Sequence, residues 1–217
     1  MFKRFSILLI SLAMTAACSA KPAEGAAAAP SYTDGQQYAS TPTPQRLDPK
    51  DGKVEVVEVF SYGCVHCAHY ESYAETLQKQ LPKGVVFHVV PAAFNDAWLP
   101  YAQAYYAAKA LGVAEKAHAA LFKAIHIDHY PIRTIDELAD WYAQNYGVDK
   151  AKFMAAATGE QTKQRILADS KLIQGWGIDG TPTIVVDGKY RSASIKDFDE
   201  LNGVARFLVD KELKGGK

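Results

Sequence analysis

At 217 residues, 48% hydrophobic and 22% charged, the chain is long enough for one large domain, or a domain with an insertion, and can fill a core. Lys plus Arg equals Asp plus Glu for a formal net charge of +0, so no overall field favours nucleic acid or an acidic membrane surface. Three cysteines occur in the whole chain, and two of them, Cys64 and Cys67, have only two residues between them.

The N-terminus reads as a targeting segment. Lys3 and Arg4 form a positive n-region. Phe5 to Ala17 is an apolar h-region, too short to span a bilayer as a mature helix. Small residues follow at Ala16, Ala17, Cys18, Ser19 and Ala20. Residues 1–20 are therefore expected to be an export signal, which places the mature protein in an oxidising compartment. Two cleavages fit. One falls before Cys18, which would then carry lipid. The other falls after Ala20 and discards Cys18. Thr15-Ala16-Ala17-Cys18 is similar to a bacterial lipobox, with Thr15 where Leu is usual. Residues 21–31 are Ala/Pro-rich without an apolar period, a flexible tether that favours the lipoprotein. Either way Cys18 is lost as a free thiol.

Residues 32–51 carry turn residues and prolines, with a short edge strand near Gln37 to Ser40. Val54 to Phe60 (VEVVEVF) is a β-branched run suited to a doubly buried strand. A helix is expected from Val65 to Leu81, closed by Pro82-Lys83-Gly84. Val85 to Val90 makes a second buried strand, and the pair reads as a parallel βαβ unit. Helical spacing then dominates. It shows at Tyr101, Ala104, Tyr105, Ala108 and Leu111, and again at His118, Leu121, Phe122 and Ile125. Thr134 to Glu137 fits a capping box, and Asp149 caps the next helix. Ile166, Leu167, Ser170 and Ile173 mark another, stopped by Gly175 and Gly177. Thr183 to Val186 is a strand, Asp187-Gly188 a hairpin turn, and Lys189 to Ala193 its return. Phe198, Leu201, Ala205 and Leu208 mark a final amphipathic helix. The expected architecture is α/β: a thioredoxin fold from 32–95 and 176–217, with an all-helical insertion at 96–175.

The chemistry centres on Cys64-Val65-His66-Cys67, delivered by a strand to the start of a helix. Thiolate, not thiol, attacks disulfides and leaves from them. At the strand-to-helix turn, unpaired N–H groups and the helix dipole stabilise an anion at Cys64. Cys67, one turn further in, is the resolving sulfur. The dipole contributes at most about 2 kcal/mol, so direct hydrogen bonds and nearby positive charge must add to it. His66, once protonated, is the candidate; its bland alternative is a solvated helix residue. Cys64, His66, Cys67 and His69 also resemble a metal cluster, but no second C-x-x-C exists and ligands on one short helix cannot readily enclose an ion. No metal site is expected. An inert disulfide would gain little from so short a loop. Glu58 sits in the apolar strand on the face of Val56 and Phe60, where desolvation disfavours its charged form. It reads as a buried acid relaying protons for Cys67; the alternative is a partly exposed glutamate paired with a lysine. Thr181-Pro182 opens the TIVV strand, where a proline is tolerated.

Several stretches together resemble the DsbA family of periplasmic thiol:disulfide interchange proteins. They are Val54 to Cys67, the long helical block, Gly180-Thr181-Pro182 before the last hairpin and helix, Asp34-Gly35-Gln36-Gln37-Tyr38, and Ala110-Leu111-Gly112-Val113. The likeness covers roughly Tyr32 to Lys214, with Val65 where the best-known members have Pro and Thr181 where some have Val. It implies a Cys64–Cys67 redox disulfide donated to unfolded secreted polypeptides, with His66, Glu58 and a cis-proline loop at Thr181-Pro182 in support. That loop would pair with substrate backbone. The resemblance also implies a periplasmic protein reoxidised by a DsbB-like, quinone-linked membrane oxidase, with no bound cofactor. A monomer is expected, tethered to the membrane if Cys18 carries lipid. A reductase or isomerase on the same fold is the near alternative, and a Cys/His metal carrier the distant one.

Overall fold

Seven residues from Val54 to Phe60, five of them Val or Phe, are built for a strand with no solvent-facing side, and they form the second strand of a five-stranded sheet. The computed structural model describes residues 31–215. The export signal, Cys18 and the tether up to residue 30 lie outside the described residues. The strands are β1 (Tyr38–Ser40), β2 (Val54–Phe60), β3 (Val85–Pro91), β4 (Thr183–Val186) and β5 (Tyr190–Ser192), in the order β1-β5-β4-β2-β3. The helices are α1 (Val65–Gln80), α2 (Leu99–Ala110), α3 (Ala114–His126), α4 (Ile135–Tyr146), α5 (Lys150–Thr158), α6 (Glu160–Gly175) and α7 (Phe198–Gly215). The arrangement is thioredoxin-like, with α2 to α6 between β3 and β4.

β2 pairs parallel with β3 from Val54↔Val85 to Phe60↔Pro91, as a β2–α1–β3 crossover requires. On its other side it pairs antiparallel with β4, from Val56↔Val186 to Val59↔Thr183. That register sets the residues before Thr183 beside the residues after Val59. It is what brings Thr181-Pro182 to the C-x-x-C turn. The Thr181–Pro182 peptide bond is cis.

Alternating residues of β2 feed different cores. Val56 packs with Ile184 and Val186 under Tyr70, Ala74 and Leu77 of α1 and Leu201, Val204 and Leu208 of α7. Val57 and Val59 face the opposite way, against Leu172 and Ile173 of α6, Trp176 and Val185. Although α6 falls within the span expected to form a separate helical insertion, its C-terminal end covers one face of the sheet. The reason is that α1 and α7 occupy a single face, and a sheet buried on both faces needs a second layer. Trp176 is fully buried there and its indole N–H donates to the Gln45 carbonyl at 2.8 Å. Phe60, at the end of β2, belongs to a third core, formed with α2 to α5. Cys64 and Cys67 are part of that core.

The local signals place the helix starts. Thr134 accepts from the Glu137 N–H at 3.2 Å while Glu137 accepts from the Thr134 N–H at 2.8 Å, the reciprocal pair of a capping box. Asp149 accepts from the Lys152 N–H at 2.8 Å at the start of α5. At the hairpin, Asp187 and Gly188 both have positive φ, 52° and 66°, as a two-residue turn matched to strand twist demands. Lys189 closes the turn by donating to the Val186 carbonyl at 3.0 Å, and β5 starts one residue later than the sequence suggests.

Gly188 is doubly constrained, because a methyl group there would also collide with the Gln45 carbonyl. Gly188→Ala should therefore cost at least about 2 kcal/mol and lower Tm by roughly 4–8 °C. A thermal melt of the variant checks this; an unchanged Tm would refute the close approach.

Candidate active site

The chain leaves β2 at Phe60 and turns within four residues. The Cys64 N–H donates to the Ser61 carbonyl at 3.0 Å, and the Gly63 N–H to the Ser61 hydroxyl at 3.1 Å. Gly63 lies against the Trp98 indole, and a Cβ there would stand 2.8 Å from its Nε1. Cys64 is the N-cap of α1, in extended conformation (φ −97°, ψ 115°), with no side-chain hydrogen bond closing the cap. The free N–H groups of the first turn are thereby left for the Cys64 sulfur.

Both cysteines are free thiols, Cys64 8% exposed and Cys67 fully buried. Their acidities are driven apart. Cys64 is lowered from 9.0 to about 5, first by the Cys67 thiol that donates to its sulfur, then by Thr181 and the N–H groups of Cys67 and His66, against the opposing effect of burial. Cys67 is pushed far up by the same bond seen from the donor side and by burial. A dipole contribution of at most about 2 kcal/mol corresponds to roughly 1.5 pH units. The drop at Cys64 is larger, so contacts at the sulfur itself supply the balance. Cys64 is predominantly thiolate at neutral pH and Cys67 is not.

Thr181 presents two groups to this pair. Its carbonyl accepts from the Cys64 thiol at 3.4 Å. Its hydroxyl is buried without a partner in this arrangement and lowers both thiol pKa values. The carbonyl suits the thiol and the hydroxyl suits the thiolate.

Glu58 is 1% exposed, and neither carboxylate oxygen has a hydrogen-bond partner. Burial, then the charges of Glu71 and Cys64, raise its pKa from 4.5 to about 8. It lines a cleft of about 430 Å³ with Glu71, His88, Lys109, His118 and Arg165. Glu55 is a second buried acid of β2, not singled out in the sequence reading. It is fully buried too, but accepts from Arg46 Nε at 3.3 Å and from the N–H groups of Leu47 at 3.0 Å and Asp48 at 2.5 Å. The two acids, three residues apart on opposite faces, differ only in what meets them. Glu55 is a satisfied structural tie and Glu58 is an unpaired acid.

The His66 ring is exposed, as is the side chain of Val65. The group of His66 that reaches Cys64 is its backbone N–H. Val65, Phe94 and Leu99 leave 43%, 39% and 38% of their surface in solvent, and Phe94 stacks on Trp98 with ring centroids 5.8 Å apart. Through the contact of Trp98 with Gly63, this apolar surface adjoins the cysteine turn.

The structure also assembles a group that no sequence spacing announces. Tyr62 is fully buried, and its hydroxyl meets His118 Nδ1 at 2.7 Å. His118 Nε2 faces a Glu71 carboxylate oxygen at 3.3 Å. The Tyr62 carbonyl accepts from His126 Nε2 at 2.7 Å. The partners lie 56 and 64 residues from Tyr62, beyond any local pattern. Among the described residues no group of His, Cys, Asp and Glu is arranged to hold a metal ion.

Comparison with known proteins agrees with this geometry. A thioredoxin family model matches residues 40–203. The thiol:disulfide interchange protein DsbA of Burkholderia cepacia is 38% identical over 192 residues, covering 88% of this chain and 87% of that one. DsbA of Pseudomonas aeruginosa is 36% identical over 194 residues, covering 88% and 91%. The crystal structure of the oxidoreductase DsbA from Xylella fastidiosa superposes with a TM-score of 0.80 at 38% identity, over 84% of this chain and 98% of that one. With a C-x-x-C turn at the head of α1, a cis-proline loop against it and this degree of identity, the chain belongs to the DsbA family of thiol:disulfide oxidoreductases.

Proposed function

We propose that the protein donates a Cys64–Cys67 disulfide to cysteine-bearing polypeptides as they fold after export. The observation that supports this reading is the opposite displacement of the two thiols, Cys64 down to about 5 and Cys67 far up. A stabilised Cys64 thiolate stabilises the reduced protein, and that makes its disulfide an oxidant. A reductase on the same fold lowers its first cysteine much less, to about 7 in thioredoxin, and so favours its disulfide more.

In the oxidised protein a substrate thiolate attacks Cys64 Sγ. The Cys64–Cys67 bond breaks and the bond to substrate forms, with Cys67 leaving as a thiolate that takes up a proton. Glu58, buried and protonated at neutral pH, gives that proton and recovers one through the cleft it lines. A second substrate thiol loses its proton and attacks the substrate sulfur of the mixed disulfide. Cys64 leaves as the thiolate that its surroundings favour. His66, exposed at the head of α1, adds positive charge when protonated. Thr181-Pro182 pairs with substrate backbone by strand addition, and the exposed Val65, Phe94 and Leu99 take apolar side chains. Electrons leave to a DsbB-like, quinone-linked membrane oxidase. The protein acts as a periplasmic monomer with no bound cofactor. Cleavage before Cys18 would leave a lipid there to tether the protein to the membrane; among the described residues no helix is long and apolar enough to cross one.

Equilibration of purified protein with glutathione buffers should give a potential more oxidising than about −180 mV, and a value near −270 mV would reverse the direction of the chemistry. Cys64→Ala should abolish substrate oxidation, and turnover by that variant would refute the attack at this sulfur. Mass spectrometry of the mature N-terminus should find lipid on Cys18; an unmodified Lys21 terminus would remove the anchor.

Glu58 makes a prediction whose sign follows from its pKa. Below 4.5 the acid is neutral in both the folded and the unfolded chain. Between 4.5 and about 8 only the unfolded chain ionises, so folding loses about 1.36 kcal/mol per pH unit. Above about 8 the loss levels off. Reduced Glu58→Gln should therefore match the parent near pH 4 and exceed it by on the order of 3 kcal/mol at pH 7. Denaturant unfolding across that range checks it, and a difference that does not grow with pH would sink the unpaired-acid reading. The same variant should slow reduction of the disulfide at neutral pH.

A further inference from the structure

Tyr62 sits inside the turn that ends β2 and presents Cys64. It is fully buried, so both its hydroxyl and its carbonyl need partners within the protein. The two short contacts, at 2.7 Å each, come from α3, and the Tyr142 hydroxyl of α4 is a further neighbour of the Tyr62 hydroxyl. The His126 bond has one sense only, because a carbonyl accepts: Nε2–H donates to the Tyr62 oxygen at 2.7 Å. At His118, Nε2 stands 3.3 Å from the Glu71 carboxylate, which can only accept; we assign the Nε2–H to that contact, so that Nδ1 accepts from the Tyr62 hydroxyl at 2.7 Å. The His118 ring is further fixed edge-on between Phe60 and Phe122, at 4.9 and 5.2 Å between centroids. One residue of the redox turn is thus gripped at its side-chain tip and at its backbone by two histidines just over two turns apart on one helix.

We propose that His118 and His126 are positioning residues of the redox site: together they clamp Tyr62, hold the Ser61–Cys64 turn, and so let α3 set where the Cys64 sulfur stands relative to Thr181 and the first turn of α1. Neither histidine is assigned a contact with a reacting sulfur. Their action runs through the turn. The Cys64 N–H is bonded to Ser61 at 3.0 Å, the residue immediately before Tyr62, so a shift of Tyr62 moves both ends of that bond. The contacts that stabilise the thiolate are short-range, and a displaced sulfur loses them first. The inference rests on the disulfide-donor reading above for its consequence, not for its geometry.

The test uses full-length protein and three variants. His126→Leu keeps bulk and removes the donor; His126→Gln keeps an N–H at the place of Nε2; Tyr62→Phe removes only the hydroxyl that His118 accepts from. Two quantities are read, the equilibrium constant against glutathione and the pH midpoint of thiolate absorbance in the ultraviolet. His126→Leu should make the protein less oxidising by at least tenfold in that constant, about 30 mV for two electrons, and raise the thiolate midpoint. Tyr62→Phe should shift both in the same direction. His126→Gln should stay within threefold of the parent. A purely structural role would lower Tm and leave both quantities alone, and that result overturns the proposal. Equal displacement by His126→Leu and His126→Gln overturns it too. If His126→Leu does not fold, Tyr62→Phe decides, since it differs from the parent by one oxygen. Failure of the donor reading shows elsewhere, in a parent potential near that of thioredoxin, while the clamp is read from differences between variants.

Discussion

The hydrogen bond from the Cys67 thiol to the Cys64 sulfur is the largest influence on both groups, and it acts on them in opposite senses. It follows from α1 beginning at Val65, one residue after Cys64, so that the second cysteine stands within the first turn of the helix, close to the first. Much of the surrounding structure serves that bond. The sheet register brings Thr181 against the pair. The helical block buries Cys67 completely and Cys64 almost so, which keeps competing water from the donor. A thiolate that is comfortable in such a place makes the disulfide uncomfortable, and the chemistry of the family follows from that difference.

The two buried acids of β2 show how the same residue type acquires different work. Glu55 meets Arg46 and two backbone N–H groups, and it fastens the segment before β2 to the sheet. Glu58 meets nothing, and burial holds it neutral until about pH 8. An unpaired buried acid costs stability, and proteins retain one where its proton is used. Its position on the face of β2 that leads into the cleft, close to the charge of Cys64, suits a group that answers to the state of the cysteine pair.

The helical segments between β3 and β4 do more than cover the site. α6 provides the second layer of the sheet, with Leu172, Ile173 and Trp176 under Val57 and Val59. α3 reaches the redox turn directly through His118 and His126. The turn therefore depends on two layers at once, α1 with its dipole and α3 with His118 and His126. A loop held from both sides loses less order when its disulfide opens, because the groups around it are already in place.

What was legible in the sequence is what short-range chemistry dictates. The VEVVEVF strand, the C-x-x-C at the head of a helix, the capping box at Thr134, the cap at Asp149 and the Asp187-Gly188 turn all depend on residues within a few positions of one another, so spacing alone reveals them. Glu58 was visible as a charge in an apolar run, and Glu55 passed unremarked in the same run because its partners, Arg46 to Asp48, show no pattern that announces them. The ring of His66 is exposed at the head of α1, and the group by which this residue touches Cys64 is its backbone N–H, which no side-chain pattern announces. The nearness of Thr181 to Cys64 and the grip of α3 on Tyr62 were decided only when the sheet and helices packed. Those contacts join residues 56 to 117 positions apart, and no local periodicity specifies which distant side chains will share one interior.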